Sequence, residues 1–376
     1  LAGGAIQGAR LATLTRLRVN DYAWYEAISG ASLALALWTM DRLGGCDLPR
    51  PATEAEFNAH NRGTYLEPNA KLVWHRDAHR FASFCWRSAF GQYQALVQPV
   101  ELAHLLKYNH NGLGLIDAPS TIARMKYEFF NLGTLPGGGF WSLGTIGRVA
   151  KSTMGTAAFP LVHQHVALVA LPEGPSLWID QCQALDQLWL AAQGSLGVRL
   201  AADVYNGGRV RLSVDGQERS VAPHPCRDTW IDLGARELVV ERRLTLRALS
   251  GEGSFQLLQK RARPADRSEM LYANDPVGVE ESLLAHELYF GPPRFTRQRV
   301  VAAGEWFRDV ALVIYCDPAA TPRAEPVEIT GKHPCFAVRL PRLKRTVALN
   351  FSAAEQKIGA LRDRKSTRLN SSHVSQ

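Results

Sequence analysis

Residues Arg209–Gly216 read RVRLSVDG. Val210, Leu212 and Val214 alternate with Arg209, Arg211 and Ser213, and a period of two places the apolar set on one face of a β-strand. The stretch ends in Asp215-Gly216, a dipeptide that favours the tight two-residue hairpin turn. Working outward, runs of similar texture recur from residue 71 to residue 351, separated by Gly, Pro, Asn and Asp. They include KLVWH, RFASFCWR, HVALVAL, SLWIDQCQAL, VRLAADVY, TWIDLG, ELVVERRLTLRAL, SFQLLQ, DVALVIYCD, CFAVRLP and RTVALNF. Glu173-Gly174 marks a second hairpin turn. Almost no helical periodicity interrupts these runs, so they predict a mainly β chain, a large antiparallel β-sandwich over residues 70–352. No short internal repeat of the propeller or solenoid kind is present.

The first 45 residues have another character. Ile6, Leu11, Leu14 and Leu17 recur at helical steps, and Asn20-Asp21 reads as the N-cap of a second helix. That helix carries Tyr22, Tyr25, Ile28, Leu35 and Trp38 and stops at Gly44-Gly45. ASLALALW falls well short of the roughly 20 apolar residues a membrane span needs, so it reads as a buried helix segment and no membrane span is expected. Two antiparallel helices cannot make a core alone, and residues 1–45 read as the last helices of a larger helical domain. Residues 46–69, aperiodic and rich in Pro, Asn and Glu, read as a linker.

Residues 353–376 read as a disordered tail. Within it Asp363–His373, DRKSTRLNSSH, has one codon spelling that resembles a common short-read sequencing adapter, the other reading being a flexible Ser-rich basic tail. Those residues are therefore expected not to derive from a natural gene. The start at Leu1, without Met and inside a helical pattern, fits a piece of a longer bacterial protein.

The chain has 376 residues, 46% of them hydrophobic and 21% charged, which excludes a disordered chain, a collagen-like fibre and a disulfide-dense mini-protein. Its formal charge of +8 falls to +6 without residues 363–373. The bases are dispersed and no recognition module is present, so nucleic-acid binding is not expected. The six cysteines lie far apart with no C-x-x-C pair, which excludes zinc-knuckle and redox motifs and fits six thiols as well as three disulfides. There is no Gly-x-Ser-x-Gly elbow, His-Glu-x-x-His helix or dinucleotide fingerprint.

Three segments carry a family resemblance: KLVWHRDAHRFASFCWR (Lys71–Arg87), HQHVALVALPEGPSLWIDQCQA (His163–Ala184), and the block from DVYNGGRVRLSVDGQ to DTWIDLG (Asp203–Gly234). In hairpin texture they resemble the β-supersandwich of polysaccharide lyases in which an (α/α) toroid precedes the sandwich, the heparinase II/III-like and hyaluronate-lyase-like families. The resemblance implies a mainly β supersandwich preceded by the last helices of an α/α-toroid-type domain. It also implies cleavage of an acidic, uronate-containing polysaccharide or oligosaccharide by β-elimination, and a secreted or periplasmic location. In those families most catalytic groups sit on the toroid, so the fragment alone is expected to be inactive. Two other classes stay open: a glycoside hydrolase of similar architecture and a non-catalytic carbohydrate-binding or structural sandwich.

β-Elimination needs a group that neutralises the uronate carboxylate, a base for the C5 proton and an acid for the leaving oxygen. Lys107–Asp117, KYNHNGLGLID, gathers Tyr108 and His110 as catalytic candidates, with Asn109 and Asn111 as substrate-binding ones. The other reading of this cluster is a loop whose Asn side chains satisfy its own backbone. Arg124 and Lys126 read either as an extension of a subsite for an acidic polymer or as a solvated charged face. His75, Arg76, His79, Arg80 and Arg87 form the densest basic cluster, read either as plain hairpin surface or as a polyanion contact in which Arg76 and Arg87 hold carboxylate or sulfate groups bidentately. In LGTLPGGGFWSLGTIG (Leu132–Gly147) the glycine run lacks the Lys and Ser/Thr of a phosphate loop. It reads either as a flexible loop that presents Phe140 and Trp141 to a sugar ring or as a buried aromatic plug. His163 and His165 share one strand face and read either as core or surface histidines or as half of a metal site, with no third ligand nearby in sequence. No cofactor is expected, and a structural divalent metal is left open.

Overall fold

Strands form where the alternating and apolar runs lie. The computed structural model describes residues 34–35, 37–42, 53–86, 95–102, 112–118, 122–150, 160–172, 174–201, 209–224, 227–259, 285–317, 328–330, 335–340, 345–351, 357–358, 361–362 and 373–375. Residues 34–35 and 37–42 are helical, and Leu35, Leu37 and Trp38 are exposed there rather than buried as their sequence suggests. The remainder of the expected helical segment lies outside the described residues. Residues 46–69 are not featureless, because helix α1 (Glu54–His60) starts on a capping box. The Glu56 N–H donates to Thr53 Oγ1 at 3.2 Å, and the Thr53 N–H donates to Glu56 Oε2 at 2.8 Å.

Strand β1 (Gly63–Glu67) follows, then β2 (Leu72–Arg76), β3 (Arg80–Cys85) and β4 (Ala95–Pro99); the four form an antiparallel meander in chain order. Strands β5 (Leu115–Asp117), β6 (Ile122–Thr134), β7 (Phe140–Ala150), β8 (Pro160–Ala170) and β9 (Ser176–Ala184) come next. They lead to β10 (Leu188–Leu190), β11 (Ala192–Ala201), β12 (Val210–Val214), β13 (Gln217–Val221), β14 (Thr229–Asp232) and β15 (Glu237–Val240). Then come β16 (Leu244–Ala248), β17 (Ser254–Gln259), β18 (Ala285–Gly291), β19 (Arg299–Val301) and β20 (Trp306–Tyr315). A nine-stranded sheet has the order β13-β12-β15-β16-β20-β9-β8-β7-β6, a five-stranded one β14-β17-β18-β11-β5, and β10 pairs with β19. Strands β21 (Glu328–Thr330), β22 (Cys335–Leu340), β23 (Arg345–Asn350) and β26 (His373–Ser375) make another sheet, while β24 (Lys357–Ile358) and β25 (Leu361–Arg362) form a small hairpin. The described chain is thus mainly β with antiparallel sheets and little helix.

RVRLSVDG folds as its pattern demands. Val210, Leu212 and Val214 are buried, Arg209 and Arg211 exposed, and β12 pairs with β13 across Asp215 and Gly216, both at positive φ (50° and 77°).

The expected single sandwich is in fact layered on both sides of the nine-stranded sheet. One face contributes Val166, Leu168, Trp178, Leu312 and Ile314 to a core shared with Phe84 of the first meander and with Leu257 and Phe290 of the five-stranded sheet. The opposite face contributes Ala167, Val169, Leu177, Ile179 and Val313 to a second core, covered by Phe336, Val338, Val347 and Leu349. Strands buried on both faces read as continuous apolar runs, which is why HVALVAL and DVALVIY show no polar alternation. Buried indoles reach polar partners between layers: Trp86 Nε1 donates to Ser142 Oγ at 2.7 Å and Trp178 Nε1 to Ser195 Oγ at 3.0 Å.

Candidate functional site

The β2–β3 turn, HRDAHR, builds a cleft. Asp77 organises it: Oδ1 accepts from the backbone N–H of His79 (2.9 Å) and of Arg80 (2.8 Å), an Asx-type closure of the turn. Arg80 points inward and its side chain is 2% exposed. Its guanidinium pairs with Asp77 Oδ2 at 2.9 Å and donates to the carbonyls of Leu171 and Gly174, both at 2.6 Å, and to Ser176 Oγ at 3.2 Å. Arg80 therefore ties the first meander to the β8–β9 turn of the nine-stranded sheet. Burial would raise the Asp77 pKa, but His75, Arg80 and the two backbone amides outweigh it and hold the carboxyl far below its ordinary 3.8.

His75 is buried, and its Nδ1 lies 2.8 Å from Thr64 Oγ1 and 3.1 Å from the Gly139 amide. The Gly139 N–H is shared between His75 Nδ1 and Thr64 Oγ1, which it reaches at 2.8 Å. Nε2 faces Asp77 Oδ2 at 3.6 Å. Gly137, Gly138 and Gly139 all take positive φ, and a Cβ on Gly138 would come within 3.6 Å of His75 Cε1. The glycine run thus lets the β6–β7 turn close over the histidine.

The cleft holds about 510 Å³ between these turns and the end of β20. Arg62, Arg76 and His79 bring basic groups to its wall, and Tyr315, Cys316 and Asp317 close the far side. His79 Nε2 stands 4.0 Å from Asp317 Oδ2, and the Arg76 guanidinium lies 5.2 Å above the Phe57 ring. Burial pushes the Cys316 thiol far above its ordinary range, which makes it a poor nucleophile. The arrangement can hold an anion at its basic wall, with the Asp77 carboxylate paired to Arg80 behind it.

Of the sequence-derived candidates, His75, Arg76, His79 and Arg80 converge here. Tyr108, Asn109, His110, Asn111 and Arg87 lie outside the described residues. Arg124 and Lys126 are on β6, opposite Val149 and Gly147 of β7. Trp141 is not on a loop: only residues 135–139 form the turn, Phe140 is fully buried, and half-buried Trp141 packs on the second core across from Gly133. Sequence reading missed Arg62, Asp77, Tyr315 and Asp317. The Asp within HRDAHR was the available signal for Asp77, whereas Tyr315 and Asp317 arrive from a distant strand.

The segment just after Asn111 is anchored from below. Arg148 Nε donates to Gln164 Oε1 (2.7 Å), and Gln164 Nε2 donates to Asp180 Oδ1 (2.9 Å) and to the Leu113 carbonyl (2.8 Å). Arg308 pairs with Asp180 at 3.0 Å, completing a buried polar row across β7, β8, β9 and β20. His163 and His165 do share a face, with rings 6.3 Å apart. His163 Nε2 lies 2.8 Å from Glu128 Oε2 and His165 Nδ1 lies 2.7 Å from Thr145 Oγ1. Among the described residues no group of three or more His, Cys, Asp or Glu side chains could hold a metal, and no helix is long and apolar enough to cross a membrane. Cys85, Cys182, Cys316 and Cys335 are free thiols; Cys46 and Cys226 lie outside the described residues.

No known protein family and no curated protein matches the sequence. Solved structures show a distant similarity of fold. A xanthan lyase from Paenibacillus is 11% identical, with a TM-score of 0.48 over 80% of this chain and 30% of that one. A chondroitinase AC lyase is 8% identical, with a TM-score of 0.45 over 80% and 44%. A GH36 α-galactosidase from Geobacillus stearothermophilus is 7% identical, with a TM-score of 0.41 over 67% and 40%. In each case the match spans less than half of the other protein's length.

Proposed function

We propose that this chain is part of a carbohydrate-active enzyme, a polysaccharide lyase that cleaves an acidic, uronate-containing glycan by β-elimination. The cleft at the β2–β3 turn binds acidic groups of that polymer. The observation that carries the reading is the division of charge in the cleft. Arg80 is buried and paired with Asp77 and backbone carbonyls, and Arg62, Arg76 and His79 add basic groups along the cleft wall, with Asp317 4.0 Å from His79. A guanidinium stacked on a ring, as Arg76 is on Phe57, donates in its own plane, the geometry that matches carboxylate or sulfate.

In the elimination itself, a base removes the C5 proton, that electron pair forms the C4–C5 double bond, and the C4–O bond breaks as an acid protonates the leaving oxygen. Tyr108 and His110 are the residues assigned to these proton transfers, with Asn109 and Asn111 beside the uronate carboxylate. Arg87, Arg124 and Lys126 extend the substrate contacts, and a secreted or periplasmic location goes with such a substrate.

The first test is binding of the chain to hyaluronan, heparan sulfate, chondroitin sulfate and alginate, with neutral dextran as control. Affinity for at least one acidic polymer should fall steeply with salt. Arg62→Ala and Arg76→Ala should each weaken it about 10-fold. Binding to none of the four sinks the reading. The second test assays a protein containing this chain for unsaturated oligosaccharides, which Tyr108→Phe and His110→Ala should abolish. New reducing ends without the double bond would mark a hydrolase instead, and binding without cleavage a binding module.

A further inference from the structure

The register of β1 with β2 carries one face of the first meander outward from the basic cleft. Gly63, opposite Arg76, belongs to the cleft wall. The next pair on that face is Tyr65 opposite Trp74, one two-residue step and about 7 Å along the strands. The two rings stack, with centroids 4.2 Å apart and planes inclined by 19°. Phe81 of β3, which pairs with Arg76, backs Trp74 at 5.8 Å. Val73 and Ala82 on the other side of these strands are fully buried, so the rings stand on a packed support. Tyr65 is nevertheless 49% exposed: one of its faces lies on Trp74, and it makes no other ring contact among the described residues. Half-buried Trp74 makes ring contacts alone, so its indole N–H has no hydrogen-bond partner among the described residues. Across β3 and β4 the same face is buried at Ser83 and Gln98, which leaves open the strip bordering the cleft.

We propose that this strip is a stacking subsite for the glycan held at the cleft. One sugar ring lies with its C–H face on the open face of Tyr65, a hydroxyl at its rim accepts from Trp74 Nε1–H, and the neighbouring uronate reaches Arg76. The inference rests on the reading that the cleft binds an acidic glycan, and it adds that the ligand is a chain of at least two sugar units rather than a lone anion. An exposed aromatic face beside an unpartnered donor matches a pyranose, which is apolar on one face and hydroxylated at its edge. The step from the Gly63–Arg76 pair to the Tyr65–Trp74 pair is comparable with the length of one sugar unit. Charge sets the direction of the chain. Arg76 stands at the cleft end, while Glu67, exposed on the same face at the far end of β1, disfavours a carboxylate there. The acidic unit therefore sits at Arg76, and the ring over Tyr65 binds through its apolar face.

The test is calorimetric titration of the whole chain with glucuronate and with hexasaccharides of hyaluronan, heparan sulfate, chondroitin sulfate and alginate. At least one hexasaccharide should bind about 10-fold or more tightly than glucuronate. Tyr65→Ala should weaken that hexasaccharide about 10-fold and leave glucuronate unchanged, while Tyr65→Phe, which keeps the ring, should stay within about twofold of the parent. The loss in Tyr65→Ala should be the same at low and high salt, whereas the loss in Arg76→Ala should shrink as salt rises. Hexasaccharide affinity equal in parent and Tyr65→Ala, or glucuronate bound as tightly as the hexasaccharide, overturns the subsite and leaves the cleft reading standing. Binding of none of the five overturns both. Should Tyr65→Ala fail to fold, Tyr65→Leu, which keeps apolar bulk without a ring, takes its place with the same loss expected. Self-association of the parent that disappears in the Tyr65 variant, read by sedimentation, would give this face to a second copy of the chain and also overturn the proposal.

Discussion

Asp77 shows how one residue serves both the fold and the cleft. Its carboxylate closes the β2–β3 turn through two backbone amides and neutralises Arg80, whose side chain is almost wholly buried. Removing one partner of such a pair leaves an uncompensated charge inside. Asp77→Asn should therefore lower stability by about 3 kcal/mol near neutral pH, measured by urea denaturation. The pH dependence has a fixed sign. Because the folded-state pKa is held far below 3.8, the stabilisation is complete above 3.8 and is lost as pH falls from there toward the lowered value. The gap between parent and variant should therefore be constant at neutral pH and narrow only in strong acid. A gap that closed already between pH 7 and pH 5 would show that the Asp77 carboxylate is not the source of the effect.

Among the elements, the β12–β13 hairpin is the one whose sequence states its structure most fully. Nothing lies within 4 Å of a Cβ placed on Gly216, so Gly216→Ala tests the backbone alone. With φ at 77°, the substitution should cost about 1 kcal/mol with no loss of packing, read from the urea midpoint. Here local and tertiary demands coincide: the alternation, the turn dipeptide and the buried Val210, Leu212 and Val214 say the same thing. Other elements hid their role. Asp180 stands singly within SLWIDQCQAL, and alternation alone offers no reason for an inward carboxylate. Its partners Gln164 and Arg308 come from other strands, so the buried polar row existed only once the register was known. The cleft was half legible for the same reason. His75, Arg76, His79 and Arg80 are neighbours along the chain, whereas Asp317 and Gly138 reach them only through the packing of β20 and the β6–β7 turn.

At the scale of the whole molecule, the open question for the sequence was how many layers cover the long central strands. A continuous apolar run predicts burial of both faces without saying what buries them, so one sandwich was the natural expectation. The second core, with Phe336, Val338, Val347 and Leu349 over the nine-stranded sheet, makes a specific mutational pattern necessary. Leu168 on β8 faces the first core, and Leu177 on β9 faces the second; both are essentially unexposed. In a two-layer sandwich only the face toward the partner sheet would be sensitive to truncation. With both faces covered, Leu168→Ala and Leu177→Ala should each cost about 2–5 kcal/mol, the usual range for a buried leucine that leaves a cavity. On half-exposed β12 the faces should separate: Leu212→Ala should fall in the same range, while Arg211→Ala, on the exposed face, should change stability by no more than about 1 kcal/mol through its Glu241 pair. Paired urea denaturation curves for the four variants decide the matter. A near-neutral Leu177→Ala beside a costly Leu168→Ala would remove the third layer and return the molecule to a simple sandwich.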